Sequence, residues 1–445
     1  MNHYTKQDII QLVEEEDVEF IRLQFTDLFG NFKNMAVTTS QLEKVLNNQC
    51  VFNGSAIEGF LSMKEPDMYL YPALDTFEIF PWRPQQGKVA RFICDVFRPD
   101  GTPFEGDSRY ILKKVIQQAK SMGYLFKAGP ECEFFLFDLA QDGSPTTETK
   151  EKGSFFDVGP VDSGENARRE MVMTLEQMGF EIEASYHANA PAQHEIDFKY
   201  SDGLSTADNL MTFRMAVRTI ARRHGLHATF MPKPKSGVDG SGMHLNLSLY
   251  NEDGVNVFCD ESAKGGLSQE GLYFIAGILK HIDAITAVTN PLVNSYKRLV
   301  PGYGAPVYVA WSNTANRSAL VRTGRKKERV DRIELRCPDP SANPYLALAV
   351  CLAAGLSGIR EKILPPAKID GNIYDMTDEE RSAYKIRSLP ENLSHALDAF
   401  EVDPLMVDVL GSKLASDYLK IKRAEWMKYC TTVSEWEVGQ YLNRF

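Results

Sequence analysis

The sequence predicts an α+β protein of two domains: a strand-rich N-terminal segment, and a larger part in which helices back a mostly antiparallel sheet. Three features predict it. The first hundred residues alternate and carry many turn signals, as in YLYPALDTFEIFPW and VARFICDVF. PDGTPFEGD at 99–107 is a turn-rich break, which sets the domains at 1–104 and 105–445. Beyond it, helical and strand patterns follow each other only loosely, without the regular alternation of a βαβ chain.

Residues 5–16 have the pattern of a short helix. EFIRLQFTDLFGNFKNMAV then alternates on both sides of Gly30-Asn31, a hairpin signal. Asp107 is placed to cap a helix that ends at Gly123. Helical periodicity returns at about 162–178, 206–224, 268–288, 344–360 and 403–430. Strands are expected at 131–138, 193–200, 226–231, 242–250, 306–311 and 332–337. The longest apolar run, YLALAVCLAAGLSGI at 345–359, is too short to span a bilayer. It follows Asn343-Pro344 and is expected to be a buried core helix.

Composition is that of a globular chain, 43% hydrophobic and 24% charged, with a formal net charge of −11. That charge argues against nucleic acid or an anionic membrane as partner and leaves small molecules. The N-terminus is too polar for a signal peptide. Seven cysteines, an odd number without CxxC spacing, fit a reducing cytoplasm, with a catalytic cysteine as the lesser alternative.

The chemistry lies in the strands. In GPECEFFLFD, Glu131 and Glu133 point the same way, with Phe135 and Phe137, while Cys132, Phe134 and Leu136 point the other. Two carboxylates side by side in a strand covered on both faces call for a positive partner. QHEIDF carries His194 and Glu195. GSGMHLNLSL aligns His244, Asn246 and Ser248, and RIELRCPDP aligns Arg332, Glu334 and Arg336. Should these faces converge, a set dominated by carboxylate with a single imidazole suits Mg²⁺ or Mn²⁺ better than Zn²⁺. The alternative is that each acid pairs structurally with an arginine. A second, cationic group comprises Lys297, Arg298, Arg317 and Arg322, whereas RKKER at 325–329 has the character of a solvated surface. No GxxxxGK[ST] or GxGxxG opens a helix, so any nucleotide binds without a P-loop or Rossmann turn.

These segments, from IRLQFTDLFG through GPECEFFLF, QHEIDF, FMPKP, GSGMHLNLSL, NPLVNSYKRLVPGY and NRS to IELRCPDPSANPYLAL, resemble type I glutamine synthetase nearly end to end, closest to the shorter Gram-positive form. The resemblance implies an N-terminal β-grasp domain and a large catalytic α/β domain with an antiparallel sheet. It implies a homododecamer of two hexameric rings, with active sites between neighbouring subunits. It also implies a reaction in which ATP converts glutamate to γ-glutamyl phosphate before an amine displaces the phosphate. On that basis Glu131, His244 and Glu334 hold one ion, and Glu133 and Glu195 serve a second. Asp239, Gly240, Arg298 and Arg336 face glutamate. Glu183, Asn246, Ser248, Arg317, Arg322 and Arg332 face ATP, and Arg298, Arg322 and Asn53 stand at catalytic positions.

Several positions depart from the family pattern. NGSAIEGF places Asn53 where an aspartate takes a proton from ammonium, and PGYGAP places Gly304 where a flap glutamate closes the ammonium pocket. YHANAPAQHE puts Ala188 at a ligand position of the second metal. DGSGMH puts Asp239 at a glutamate-binding asparagine, and RTGRKKERVD replaces the ASRG motif. Ser62 stands where Gram-positive members carry an arginine tied to feedback. Tyr374, in NIYDM, lies near the region that matches the adenylylation site, a control the shorter members generally lack. A pocket stripped of two carboxylates suits an organic amine better than ammonium. The leading expectation is therefore a ligase that joins glutamate to an amine other than ammonia. The alternatives are an ordinary glutamine synthetase and an impaired paralogue with a regulatory role that mixes into rings with a related subunit.

Overall fold

The computed structural model describes residues 3–57, 59, 67–83, 86–263, 265–326 and 329–445. The N-terminal part begins with helix α1 (Lys6–Glu15), entered through a capping box in which Thr5 and Asp8 satisfy each other's backbone N–H. Strands β1 (Val18–Thr26) and β2 (Phe32–Thr38) form the hairpin around Gly30. They are followed by α2 (Leu42–Leu46), β3 (Cys50–Phe52), β4 (Met68–Pro72), β5 (Glu78–Ile79) and β6 (Lys88–Phe97). These make a six-stranded sheet among the described residues, ordered β2-β1-β6-β4-β3 with β5 on β6. β1 and β6 run parallel, which brings Arg22 beside Arg91. One face closes over a small core of Ile9, Ile21, Leu23, Phe92 and Cys94. The other turns toward the rest of the chain.

The larger part carries α3 (Ser108–Ser121), β7 (Leu125–Asp138), α4 (Glu165–Gln177), β8 (Ile182–His187), β9 (Gln193–Phe198), β10 (Ser201–Asp202), α5 (Gly203–Arg223), β11 (Leu226–Thr229) and β12 (Met243–Tyr250). Then come α6 (Gln269–Thr289), α7 (Ser295–Arg298), β13 (Trp311–Ser312), β14 (Val321–Lys326), β15 (Arg329–Leu335), α8 (Pro344–Glu361), α9 (Asp378–Ala383), α10 (Leu393–Val402), α11 (Pro404–Leu410), α12 (Ser412–Cys430) and α13 (Glu435–Tyr441). Among the described residues its nine strands run β13-β14-β15-β12-β7-β9-β8, with β10 and β11 also on β7. Every pairing is antiparallel except β13 with β14. This is a β-grasp domain joined to a large domain with a mostly antiparallel sheet, as expected.

β7 is the spine. Cys132, Phe134 and Leu136 enter the main core, whereas Phe135 and Phe137 form a separate cluster with Ala190 and Ala192 on the opposite face. The strand is thus covered on both sides, as its composition requires. Helix α8 is buried throughout its first fifteen residues. α6 is long and apolar enough to cross a membrane, but 78% of its most apolar stretch is buried inside the fold. It is a core helix packed on α8.

Three expectations are corrected. Residues 306–311 are not a strand of the sheet; Trp311–Ser312 pairs with β14, while Tyr308 makes an isolated bridge to Ser388 and Val307 and Val309 are buried beside it. The helix expected over 403–430 is two helices, broken at Gly411, whose φ of +83 lies outside helical space. β7 starts at Leu125 rather than 131, through a glycine and a proline that argue against a strand.

Candidate active site

Strand register assembles the site. Glu131 pairs with His244 on β12 and with Asp197 on β9, and Glu133 pairs with Glu195. Asn246 pairs with Glu334 on β15, which pairs in turn with Arg322 on β14. Because side chains alternate, these all face one side of the sheet. Glu131, Glu133, Glu195, His244 and Arg322 line a cavity of about 790 Å³. His194, one residue from Glu195, points to the other face, where it meets Arg168.

The acids are held tightly. Glu131 Oε2 lies 3.1 Å from His244 Nδ1, and its Oε1 accepts from Asn246 Nδ2 at 3.0 Å. Burial pushes the Glu131 carboxyl up, but these bonds and the charges of His244 and Arg322 outweigh it and hold it at about 2. Glu334, almost fully buried, receives Arg322 Nε and lies 3.2 Å from Arg336 Nε and 3.7 Å from His244 Nδ1. Glu133 Oε2 accepts from Gly242 N at 2.5 Å.

Glu133, Glu195 and Asp197 behave differently. Burial raises all three; Glu133 and Asp197 push Glu195 up further, and Asp197 reaches about 7. Three crowded carboxyls that the protein's own cations leave raised fit a hard divalent cation, which would reverse that repulsion. Glu131, His244 and Glu334 offer ligand atoms within 4.8 Å of one another, the set expected for one ion. Some structural pairing does occur, since Arg322 and Arg336 both engage Glu334. It leaves Glu133 and Glu195 without an arginine in contact among the described residues.

The cavity gathers Asp239, Gly240, Arg298, Gly304, Arg317, Arg322 and Arg336 with these acids. Arg298 is buried and fixed by donating to Cys337 O at 2.7 Å. Arg336 Nη1 donates to Arg317 O. Asn246, Ser248, Glu183 and Arg332 line an adjoining recess of about 340 Å³ that shares Glu131 with the main cavity. There Arg332 Nε donates to Asn246 Oδ1 at 2.9 Å, and Ser248 Oγ to Asp331 O at 2.8 Å.

Asp239, at the position of a glutamate-binding asparagine, would repel a substrate carboxylate unless it met a cation. It accepts from Asn189 Nδ2 at 2.5 Å and lies in the field of Lys233, whose ammonium sits 3.6 Å from the Tyr303 ring centroid. Gly304 is beside it: a Cβ there would stand 3.4 Å from Asp239 Oδ2. Ala188 is fully buried and lines neither cavity. Asn53 is exposed, does not line its own chain's cavity, and caps a short turn by accepting from Ser55 N at 3.0 Å. Ser62 lies outside the described residues. Tyr374 lines the cavity with its hydroxyl committed to Ala305 O at 2.7 Å. Sequence reasoning missed Asp197 and Tyr186, which meet at 3.3 Å beside Glu195. The spacing in QHEIDF already put Asp197 on the face of Glu195. The seven cysteines are free thiols, and burial pushes Cys94, Cys132, Cys337 and Cys351 up, away from thiolate chemistry.

A carboxylate–imidazole–arginine cavity on an antiparallel sheet, with a β-grasp domain ahead of it, defines an enzyme acting on anionic small molecules. The family model "Glutamine synthetase, catalytic domain" matches residues 105–441, and "Glutamine synthetase, beta-Grasp domain" matches 17–99. The glutamine synthetase of Clostridium saccharobutylicum is 57% identical over the whole of both chains. That of Staphylococcus aureus is 52% identical over 99% of each. A solved structure named "GmaS/ADP complex" superposes with a TM-score of 0.89 at 33% identity, covering 98% of this chain and 99% of its own. The chain belongs to the glutamine synthetase family and is an ATP-dependent ligase.

Proposed function

We propose that the enzyme joins ammonia to the γ-carboxylate of glutamate. The full-length relatives that carry the glutamine synthetase name support this over the organic-amine expectation. The observation that carries it is the placement of Asp239. The flap position is a glycine, yet a carboxylate stands within contact distance of that glycine's Cβ position. The pocket keeps a negative charge for ammonium, moved from the flap to the facing wall.

In the reaction proposed, a γ-carboxylate oxygen attacks the terminal phosphorus of ATP and the bond to the bridging oxygen breaks, releasing ADP. Ammonia then attacks the carbonyl carbon, loses a proton, and phosphate leaves. Arg298 and Arg336 would hold the carboxylates of glutamate, and Arg317 and Arg322 the transferring phosphate. The recess of Glu183, Asn246, Ser248 and Arg332 would take the nucleotide. Two Mg²⁺ or Mn²⁺ ions, one on Glu131, His244 and Glu334 and one on Glu133 and Glu195, would neutralise phosphate charge. Asp239 would take up the ammonium and accept its proton. Asn53 does not line its own chain's cavity, so a place at a catalytic centre would require a neighbouring copy, in keeping with a double-ring dodecamer.

Phosphate release with glutamate, ATP and a series of amines tests this. Ammonia is expected to give a higher kcat/KM than methylamine or ethylamine. Asp239→Asn should lower kcat/KM for ammonia by about 100-fold or more, the size of a lost proton acceptor, with the KM for ATP unchanged. A second reading, a larger amine, draws on the open volume at Gly304. An amine that outperforms ammonia would establish that reading and overturn the first.

A further inference from the structure

A cavity of about 450 Å³ lies between the N-terminal sheet and the catalytic domain, apart from the site above. Arg91, in the middle of β6, faces it. The side chain is buried, 6% exposed, and its Nη2 donates to Thr212 Oγ1 on α5 at 3.0 Å. Its Nε and Nη1 have no hydrogen-bond partner and are closed off from solvent, so a ligand in the cavity meets them only when the side chain turns outward. Buried guanidinium N–H groups left unsatisfied are costly.

Glu78 stands directly opposite Arg91 in the β5–β6 register and lines the same cavity. Directly opposed residues share a face, roughly 5 Å apart at Cβ. Yet no ion pair joins the two side chains among the described residues. Burial raises the Glu78 carboxyl, with Arg91 only partly offsetting it. The other charges nearby are engaged. Asp208 takes Arg109 at 3.0 and 2.9 Å and Tyr345 at 2.7 Å. Glu181 takes Lys199 at 2.7 Å, and Asp75 takes His3 at 3.1 Å. The remaining wall is apolar, with Phe77, Met178, Phe180 and Phe198.

A group that satisfies this arrangement carries a carboxylate and a cation one carbon apart, with an apolar extension. We propose that this interdomain cavity binds a free α-amino acid with an apolar side chain, its carboxylate on the Arg91 guanidinium turned toward the cavity and its ammonium on Glu78. A dianion such as a dicarboxylate or phosphate is disfavoured, because Glu78, which no cation pairs among the described residues, repels its second charge.

Calorimetric titration of the full-length protein, with the catalytic site saturated by glutamate and a non-hydrolysable ATP analogue, tests the assignment. The probes are L-leucine, L-methionine and L-phenylalanine, the deaminated acid of each, and succinate. At least one of the amino acids is expected to bind. Its affinity should fall by about tenfold or more in Glu78→Gln and in Arg91→Met. The deaminated acid should bind the native chain more weakly and be indifferent to Glu78→Gln. Glu78→Gln preserves shape and decides the matter should Arg91→Met not fold. Silence from all three amino acids overturns the proposal, as does binding that Glu78→Gln leaves unchanged, a deaminated acid that binds as well as its parent, or succinate binding most tightly.

Discussion

His194 and Glu195 are adjacent, yet the two-residue period of a strand sends one into the active cavity and the other to a buried polar knot behind it. In that knot Arg168 Nη1 bridges Asp162 at 2.7 Å and His194 Nδ1 at 2.8 Å, while His187 bonds Glu151 at 2.7 Å. The four acids and imidazoles lie close enough to share a metal. Arg168 already supplies the cation, and its N–H makes His194 Nδ1 an acceptor, so the knot is an ion-pair network. Burial, then Arg168, lowers His194 from 6.5 to about 3 and keeps it neutral. The sign follows. Between about pH 6.5 and 3 the unfolded chain binds a proton at this position that the folded chain does not, so stability falls as pH falls through that window. Thermal melts from pH 7 to 5 should show a declining Tm that flattens in His194→Gln. An equal slope in both proteins would remove His194 as the cause. His187 is raised, chiefly through its bond to Glu151 against the effect of burial, so it acts above this window and does not mask the effect.

At the scale of elements, the packing of α6 on α8 is the tightest helix contact of the core. A Cβ on Gly277 would overlap Ala354 O, and one on Gly358 would overlap Tyr273 O. The two glycines let the backbones meet. Gly277→Ala gains about 1 kcal/mol of helix propensity but must force the helices apart, which costs about 1–3 kcal/mol or more. The net is expected to be a loss, seen as a lower urea midpoint at unchanged m-value. A neutral or raised midpoint would show that the helices separate freely. Such backbone contacts are invisible in a sequence, where Gly277 is only a weak spot in a helical pattern. Other elements were legible. Alternation aligned Glu131 with Glu133 and singled out Glu195, His244 and Glu334 on their own strands, and the register then brought them to one face. The eight-residue run that becomes β12 was nearly complete in GSGMHLNLSL. Alternation failed where pairing, not composition, makes the strand: β14 reads VRTGRK, and the start of β7 runs through Gly129 and Pro130. It overreached at 306–311, where buried apolar residues bond to the loop at 387–389 through an isolated bridge rather than to the sheet. Asp239 and Asn189 each looked like a defect or went unremarked in the sequence, and only their hydrogen bond shows them acting together.

For the whole molecule, two groups of exposed apolar residues stand out from those scattered over the surface. One patch, Phe155, Phe156, Val158 and Val161, is 43–72% exposed, with Phe155 and Phe156 at the mouth of the active cavity. The other lies at the end of the chain, where α13 and the residues after it expose Trp436 at 64%, Leu442 at 72% and Phe445 at 101% and bury none of their side chains. A helix of seven residues is too short to persist in water on its own strength, so this segment needs a surface that its own chain does not provide. Burying side chains of this kind is worth about 1.5–3 kcal/mol each, enough for a few of them to fix a second copy. Two unlike patches fit the two unlike interfaces that the double-ring dodecamer proposed above would need. A head-to-tail contact closes a ring, and a self-complementary contact joins two rings. The first would bring one chain's Asn53 toward its neighbour's cavity, and the second falls to the C-terminal segment. Removal of residues 431–445 is therefore expected to halve the assembly, leaving rings that retain ligase activity, as sedimentation velocity and phosphate release would report. Substituting Phe155 and Phe156 with serine should instead break the rings and abolish turnover. Should the truncated chain sediment like the native one, the C-terminal segment is not the contact between rings, and the Phe155 patch must serve both interfaces.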